Sequence, residues 1–98
     1  GKSPTDRRAQ KRDEAQARQK RANARKPLLA RRSVVEQDIE RLGAERVTLD
    51  AWLASTEAYA EDAKPRLVAT LERAGEVTWT LARLESEWLE IAEALDAT

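Results

Sequence analysis

The chain contains no cysteine, no histidine, no methionine and no phenylalanine. Without cysteine there is no disulfide framework and no thiolate metal site. Without histidine the commonest metal ligand and the commonest general base are both missing. Ser–His and Cys–His nucleophile pairs are therefore impossible. The only glycines are Gly1, Gly43 and Gly75, too dispersed for a phosphate-cradling loop. No apolar run approaches the roughly 18 residues of a membrane span, and nothing resembles a signal peptide. The chain begins Gly-Lys-Ser-Pro. Gly1 is read as a tag-cleavage remnant and the chain as a piece of a longer protein.

What is abundant is charge, and it is unevenly placed. The 98 residues carry 18 Lys/Arg and 18 Asp/Glu, a formal net charge of zero. Residues 1–33 hold twelve Lys/Arg and three Asp/Glu, a net of +9; residues 34–98 hold six and fifteen, a net of −9. Such a split points to an interaction arm joined to a separate folded unit. The apolar residues are just as uneven. Apart from alanine, every Leu, Val, Ile, Trp and Tyr lies at Leu28 or later. Only that later part can bury a core, and so short a segment is marginal unless elongated helices share one seam.

From Leu28 the apolar residues recur in steps of three and four. One run is Leu28, Val35, Ile39, Leu42, Leu49 and Leu53, interrupted by Arg32 and Arg46. The other is Leu67, Leu71, Ala74, Val77, Leu81, Leu84, Trp88, Ile91 and Leu95. Steps that sum to a heptad mark helices packed along a narrow seam, and no segment alternates as a strand would. Pro65 suits the first turn of a second helix. The expected fold is all-α: an antiparallel two-helix coiled-coil hairpin over residues 28–98, with helices at about 28–54 and 64–96 and a loop at about 55–63. Facing residues have numbers that sum to about 120, so Leu53 meets Leu67, Leu49 meets Leu71 and Ile39 meets Leu81. Gly43 and Gly75 fall at nearly one level, where the second run changes step with two threes in succession between Leu71 and Val77. They are either weak spots or the mark of a local bend or close helix approach.

Trp88 and Trp52 are read as core-filling, Trp79 as partly exposed, and Tyr59 as packed over the hairpin tip. The carboxylates Glu85, Glu87, Glu90 and Glu93 have no cleft to bury them and are read as a solvated helix face. No cofactor or metal is expected in these residues, and no catalysis.

Residues 1–27 form the basic arm, "RRAQKRDEAQARQKRANARK" at its centre. Extended backward, the seam passes through Arg7, Lys11, Glu14, Arg18, Arg21 and Arg25. A cationic stripe suits a phosphate backbone and not a hydrophobic partner. Residues before about Ala22 have no partner helix, while Arg21 and Arg25 fall near Glu93 and Asp96. A break is expected at Pro27, leaving the arm partly helical or disordered. The arm is then a short ion-pairing strip, a charged linker or a nucleic-acid contact. The candidate contact residues are Arg7, Arg8, Lys11, Arg12, Arg18, Lys20, Arg21, Arg25, Lys26, Arg31 and Arg32. With no aromatic in the arm, contact would be sequence-tolerant.

Several features together resemble the C-terminal region of the ABC-F family of ATPases: the basic segment before Pro27-Leu28, "EQDIERLGAERVTLDAWL", the loop "STEAYAED" and the ending "LESEWLEIAEAL". Ala58 and the seam arginines depart from the usual pattern. The resemblance implies an antiparallel coiled-coil hairpin with Tyr59 in its tip and Trp88 in its closing helix. It implies two upstream cassettes that bind ATP and Mg and hydrolyse ATP in a cytoplasmic protein acting on ribosomes during translation. It further implies a hairpin that contacts DNA, ribosomal RNA or the ribosome, with no membrane partner. The expected oligomeric state is a monomer, and the alternative is a structural or protein-binding coiled coil with the arm as spacer.

Overall fold

A computed structural model describes residues 3–98 as two long helices joined by a short tip. Helix α1 runs Pro4–Leu53 and helix α2 runs Lys64–Asp96. Between them lie two 3₁₀ turns, Thr56–Tyr59 and Glu61–Ala63. The expected hairpin is present, with its loop and second helix where the periodicity placed them.

The arm differs from expectation. It is helical from its first turn, and α1 passes through Pro27 without a break. The sequence holds a start signal at Ser3-Pro4-Thr5-Asp6. The Ser3 hydroxyl accepts from the Asp6 N–H at 3.1 Å, and the Asp6 carboxylate accepts from the Ser3 N–H at 3.3 Å. This reciprocal capping, with proline at the first helical position, starts a helix at residue 4. Alanine, arginine, lysine and glutamine then propagate it well.

Pro27 costs α1 one hydrogen bond, that to the Asn23 carbonyl. Both residues are exposed, so water can take the carbonyl. On either side the helix is held to α2. Leu28 packs against the core cluster, and the Arg25 guanidinium donates to the Leu95 carbonyl at 2.7 Å. Tertiary contacts flanking the proline offset what it removes.

The core is one cluster: Val35, Leu42, Val77, Leu81, Leu84, Ile91 and Leu95, with Leu28, Ile39, Leu49 and Trp88 packed against it. Burying each such aliphatic side chain contributes roughly 1.5–3 kcal/mol. Near the tip the register needs one correction. Leu71, expected opposite Leu49, is 55% exposed. Thr70 is half-buried and takes the seam position. The seam of α2 is then Leu67, Thr70, Ala74, Val77, Leu81, Leu84, Trp88, Ile91 and Leu95, a regular alternation of three and four. The apparent change of step near Gly75 came from following hydrophobicity to Leu71 instead of spacing to Thr70.

The tip is closed by hydroxyls. The last turn of α1 has no basic residue to answer its carbonyls. Ser55 Oγ donates to the Trp52 carbonyl at 2.6 Å, and Tyr59 Oη donates to the Leu53 carbonyl at 2.9 Å. Tyr59 is thus tied to the tip by its hydroxyl while its ring stays 70% exposed, not packed as expected. The residue that fills the tip is Ala58, fully buried. Trp52 is half-buried under the Arg66 guanidinium, 4.2 Å from its ring centre.

Gly43 and Gly75 mark no close approach. A Cβ added at either would meet nothing within 4 Å, and neither has a positive φ. Each is a weak spot inside a helix. Gly43→Ala and Gly75→Ala are each expected to stabilise the hairpin by about 1 kcal/mol, measured by urea unfolding. A destabilisation would show that the helices need the missing methyl.

Candidate nucleic-acid interface

The helix mismatch creates the candidate surface. The cap of α2 at Ala97 lies level with the last turn of the arm, where Arg25 meets Leu95 and Thr98. From Pro4 to about Ala22, α1 therefore continues alone for roughly 28 Å at 1.5 Å per residue. The molecule is a rod with a longest extent of 86 Å.

At about 100° per residue, Arg7, Lys11, Arg18, Arg21 and Arg25 share one sector of α1. That sector is the same face that packs on α2 further along. The seam thus passes from aliphatic to cationic where its partner ends. Arg8, Lys26, Arg12 and Lys20 widen the positive surface around the helix. Arg7, Arg8, Lys11, Arg12, Arg18, Lys20, Arg21 and Lys26 are all exposed. Among the described residues, Arg8, Lys11, Arg12, Arg18, Lys20, Arg21 and Lys26 make no ion pair. The arm's neutral side chains bond along the helix, Gln10 to Glu14 at 3.2 Å and Gln19 to Asn23 at 2.9 Å.

Three candidate cations are engaged within the hairpin instead. Arg25 bonds no carboxylate, contrary to its expected place beside Glu93 and Asp96. Its guanidinium donates to the Leu95 carbonyl at 2.7 Å and to Thr98 Oγ1 at 3.2 Å. The last turn of α2 has no basic residue of its own. Arg25 supplies the positive charge and the donor that a helix C-terminus favours. Arg31 grips Glu87 with two parallel bonds, Nε to Oε1 at 2.6 Å and Nη2 to Oε2 at 2.9 Å. Arg32 pairs with Glu36 one turn on, at 3.4 Å. Of the candidate contact residues, Arg8, Lys11, Arg12, Arg18, Lys20, Arg21 and Lys26 are therefore the exposed cations that make no ion pair among the described residues.

Glu87 also departs from the solvated face expected of its neighbours. A second bridge, missed by the sequence reading, joins Arg73 to Glu45 at 2.7 Å. Both bridges follow from the hairpin register once opposite charges beside the seam are matched across it. Chiefly the Arg31 hydrogen bond holds the Glu87 carboxyl below its ordinary range, against desolvation and with a smaller contribution from the Arg31 charge. Arg73 lowers Glu45 chiefly through its hydrogen bonds. The two arginines are raised in turn, chiefly by hydrogen bonds to these carboxylates.

Trp88 is half-buried on the seam, and its Nε1–H donates to Glu36 at 3.2 Å. Trp79 is 67% exposed, with the Arg83 guanidinium 5.6 Å from its ring. No group of three or more acidic side chains suited to a metal ion occurs among the described residues. No helix of the structure is long and apolar enough to cross a membrane.

A carboxylate whose pKa falls on folding stabilises the fold fully above its unfolded pKa. That contribution is lost as pH drops through the lowered folded value. The hairpin is accordingly expected to lose stability below the ordinary carboxylate value of 4.5. The double variant Glu45→Gln/Glu87→Gln is expected to show a shallower acid decline of Tm. An unchanged acid limb would mean that neither bridge persists in solution.

No protein family matches the chain, and no curated protein or solved structure matches it.

Proposed function

We propose that these residues form a non-catalytic hairpin that holds a basic helix against the phosphate backbone of nucleic acid, free or within the ribosome. The carrying observation is the overhang: α1 outruns α2, and Lys11, Arg18 and Arg21, exposed and without ion pairs among the described residues, occupy the face where a partner helix would pack. An aliphatic partner is unsuited to that face, whereas a polyanion is matched to it. With no aromatic or base-reading group in the arm, the contact is electrostatic and positional, indifferent to sequence. The resemblance to ABC-F ATPases extends the proposal. In it the hairpin follows two upstream ATP-binding cassettes, which supply the ATP and Mg chemistry, in a cytoplasmic protein of translation.

A second reading rests on a different observation. Val68, Leu71, Trp79 and Leu89 are exposed on α2, at spacings that place them along one side. They suit a protein-binding coiled coil in which the arm is a spacer. Binding through that stripe would not depend on the arm.

Fluorescence anisotropy with labelled duplex DNA and with structured RNA, between about 50 and 200 mM salt, separates the readings. Affinity is expected to fall steeply with salt. The triple variant Arg18→Glu/Lys20→Glu/Arg21→Glu is expected to reduce the log–log salt slope by about 3 while leaving the helical circular dichroism signal intact. Absence of binding to both nucleic acids at the lowest salt would refute the proposal for this chain.

A further inference from the structure

The two charged ends of the rod also match each other between copies. We propose that the chain forms a reciprocal, salt-sensitive dimer. In it the cationic overhang of one copy lies along the acidic C-terminal third of α2 of a second copy. This inference does not rest on the nucleic-acid reading.

Three observations carry it. The first is charge placement. From Leu84 to Thr98, α2 holds Glu85, Glu87, Glu90, Glu93 and Asp96 and no basic residue. Among the described residues, Glu87 alone of these is paired across the hairpin. The second is shape. Glu36, Ile39, Glu85, Trp88 and Leu89 line an open groove of about 500 Å³. Its floor is apolar and its rim bears two carboxylates. Glu36 already accepts from Trp88 and pairs with Arg32, whereas Glu85 is exposed and unpaired among the described residues. Glu85, Leu89 and Glu93 follow at intervals of four, so the stripe beside the groove alternates acid, apolar, acid. An arginine or lysine lays its methylene stem on apolar surface while its head reaches a carboxylate. The arm, built of such residues and alanine, is the matching element.

The third observation is length. The overhang of roughly 28 Å equals about 19 helical residues, enough to span the acidic third of α2. Because each copy has one arm and one acidic end, the contact repeats by a twofold axis and closes as a dimer. The simpler arrangement, with two overhangs completing each other's seam, is opposed by like charges. Arg7, Lys11, Arg18 and Arg21 would face their own kind, relieved only by Glu14. The zero net charge of the chain leaves no overall repulsion between copies to oppose association. Exposed ion pairs are screened by salt, so the dimer belongs to low ionic strength and the monomer to physiological salt.

Sedimentation equilibrium of the 98-residue chain, free of nucleic acid, tests this. At about 0.01 M salt, where screening extends about 30 Å, the mass is expected to rise from 11.0 kDa towards twice that value. At about 0.15 M salt it returns to the monomer. Arm variant Arg18→Glu/Arg21→Glu and hairpin variant Glu85→Lys/Glu93→Lys are each expected to stay monomeric at low salt. All four side chains are exposed and outside the core, and circular dichroism checks that both variants fold. Mixed one to one, the variants restore opposite charges at both contacts and are expected to regain the dimer mass. A wild-type monomer at low salt overturns the proposal, as does a mixture of folded variants that stays monomeric. Nucleic-acid binding is read in a separate titration, so either idea fails alone.

Discussion

The bond from Arg25 to the Leu95 carbonyl sits where the two halves of the molecule meet. On one side of it the seam is aliphatic, running from Leu28 to the tip against the buried face of α2. On the other side α1 is alone and its matching face is cationic. Arg25 serves both regions. Its charge satisfies the end of α2, and its attachment holds the last turn of the arm in line across Pro27. A helix with a proline this close to the point where its partner ends would otherwise have reason to bend there.

The rest of the hairpin is built sparingly. α2 contributes Val77, Leu81, Leu84, Ile91 and Leu95 to the buried cluster, whereas α1 contributes Val35 and Leu42. Arg32 and Arg46 occupy places on the α1 seam where aliphatic residues would add burial, and each pairs with a carboxylate four residues on. The flanks are closed by Arg31–Glu87 and Arg73–Glu45, which fix register more than they add stability. Tyr59 and Ser55 answer the carbonyls at the end of α1 as Arg25 answers those of α2. Both helix ends at the hairpin borrow a donor from elsewhere in the chain, because neither has a basic residue in its last turn.

Much of this was legible in the sequence. The three–four spacing showed the helices, their antiparallel pairing, the tip at residues 55–63 and the face on which Arg7, Lys11, Arg18 and Arg21 lie. Three points were not legible, for distinct reasons. Leu71 was chosen over Thr70 because hydrophobicity outweighed spacing, although spacing decides which residues meet across a seam. Pro27 was read as a break because its local cost is visible in the sequence, whereas the anchoring of Arg25 and Leu28 on either side is tertiary. Arg25 was assigned a carboxylate because charges invite pairing, but the nearest acceptor was a helix-terminal carbonyl, which no side-chain pattern reports. The Ser3–Asp6 capping box is the local sequence signal for a helix that begins in the arm.

A single cationic face requires that α1 be one continuous helix through Pro27. The absence of native cysteine makes this directly measurable by pulsed electron-spin resonance. With Ala9→Cys and Ala30→Cys spin-labelled, an unbroken α1 sets 21 residues between labels, about 32 Å at 1.5 Å per residue. A continuous α1 gives a narrow distance distribution centred near that value at physiological salt. A broad distribution, or one shifted well away from it, would mean that the arm bends or frays at Pro27 and that no single cationic face exists.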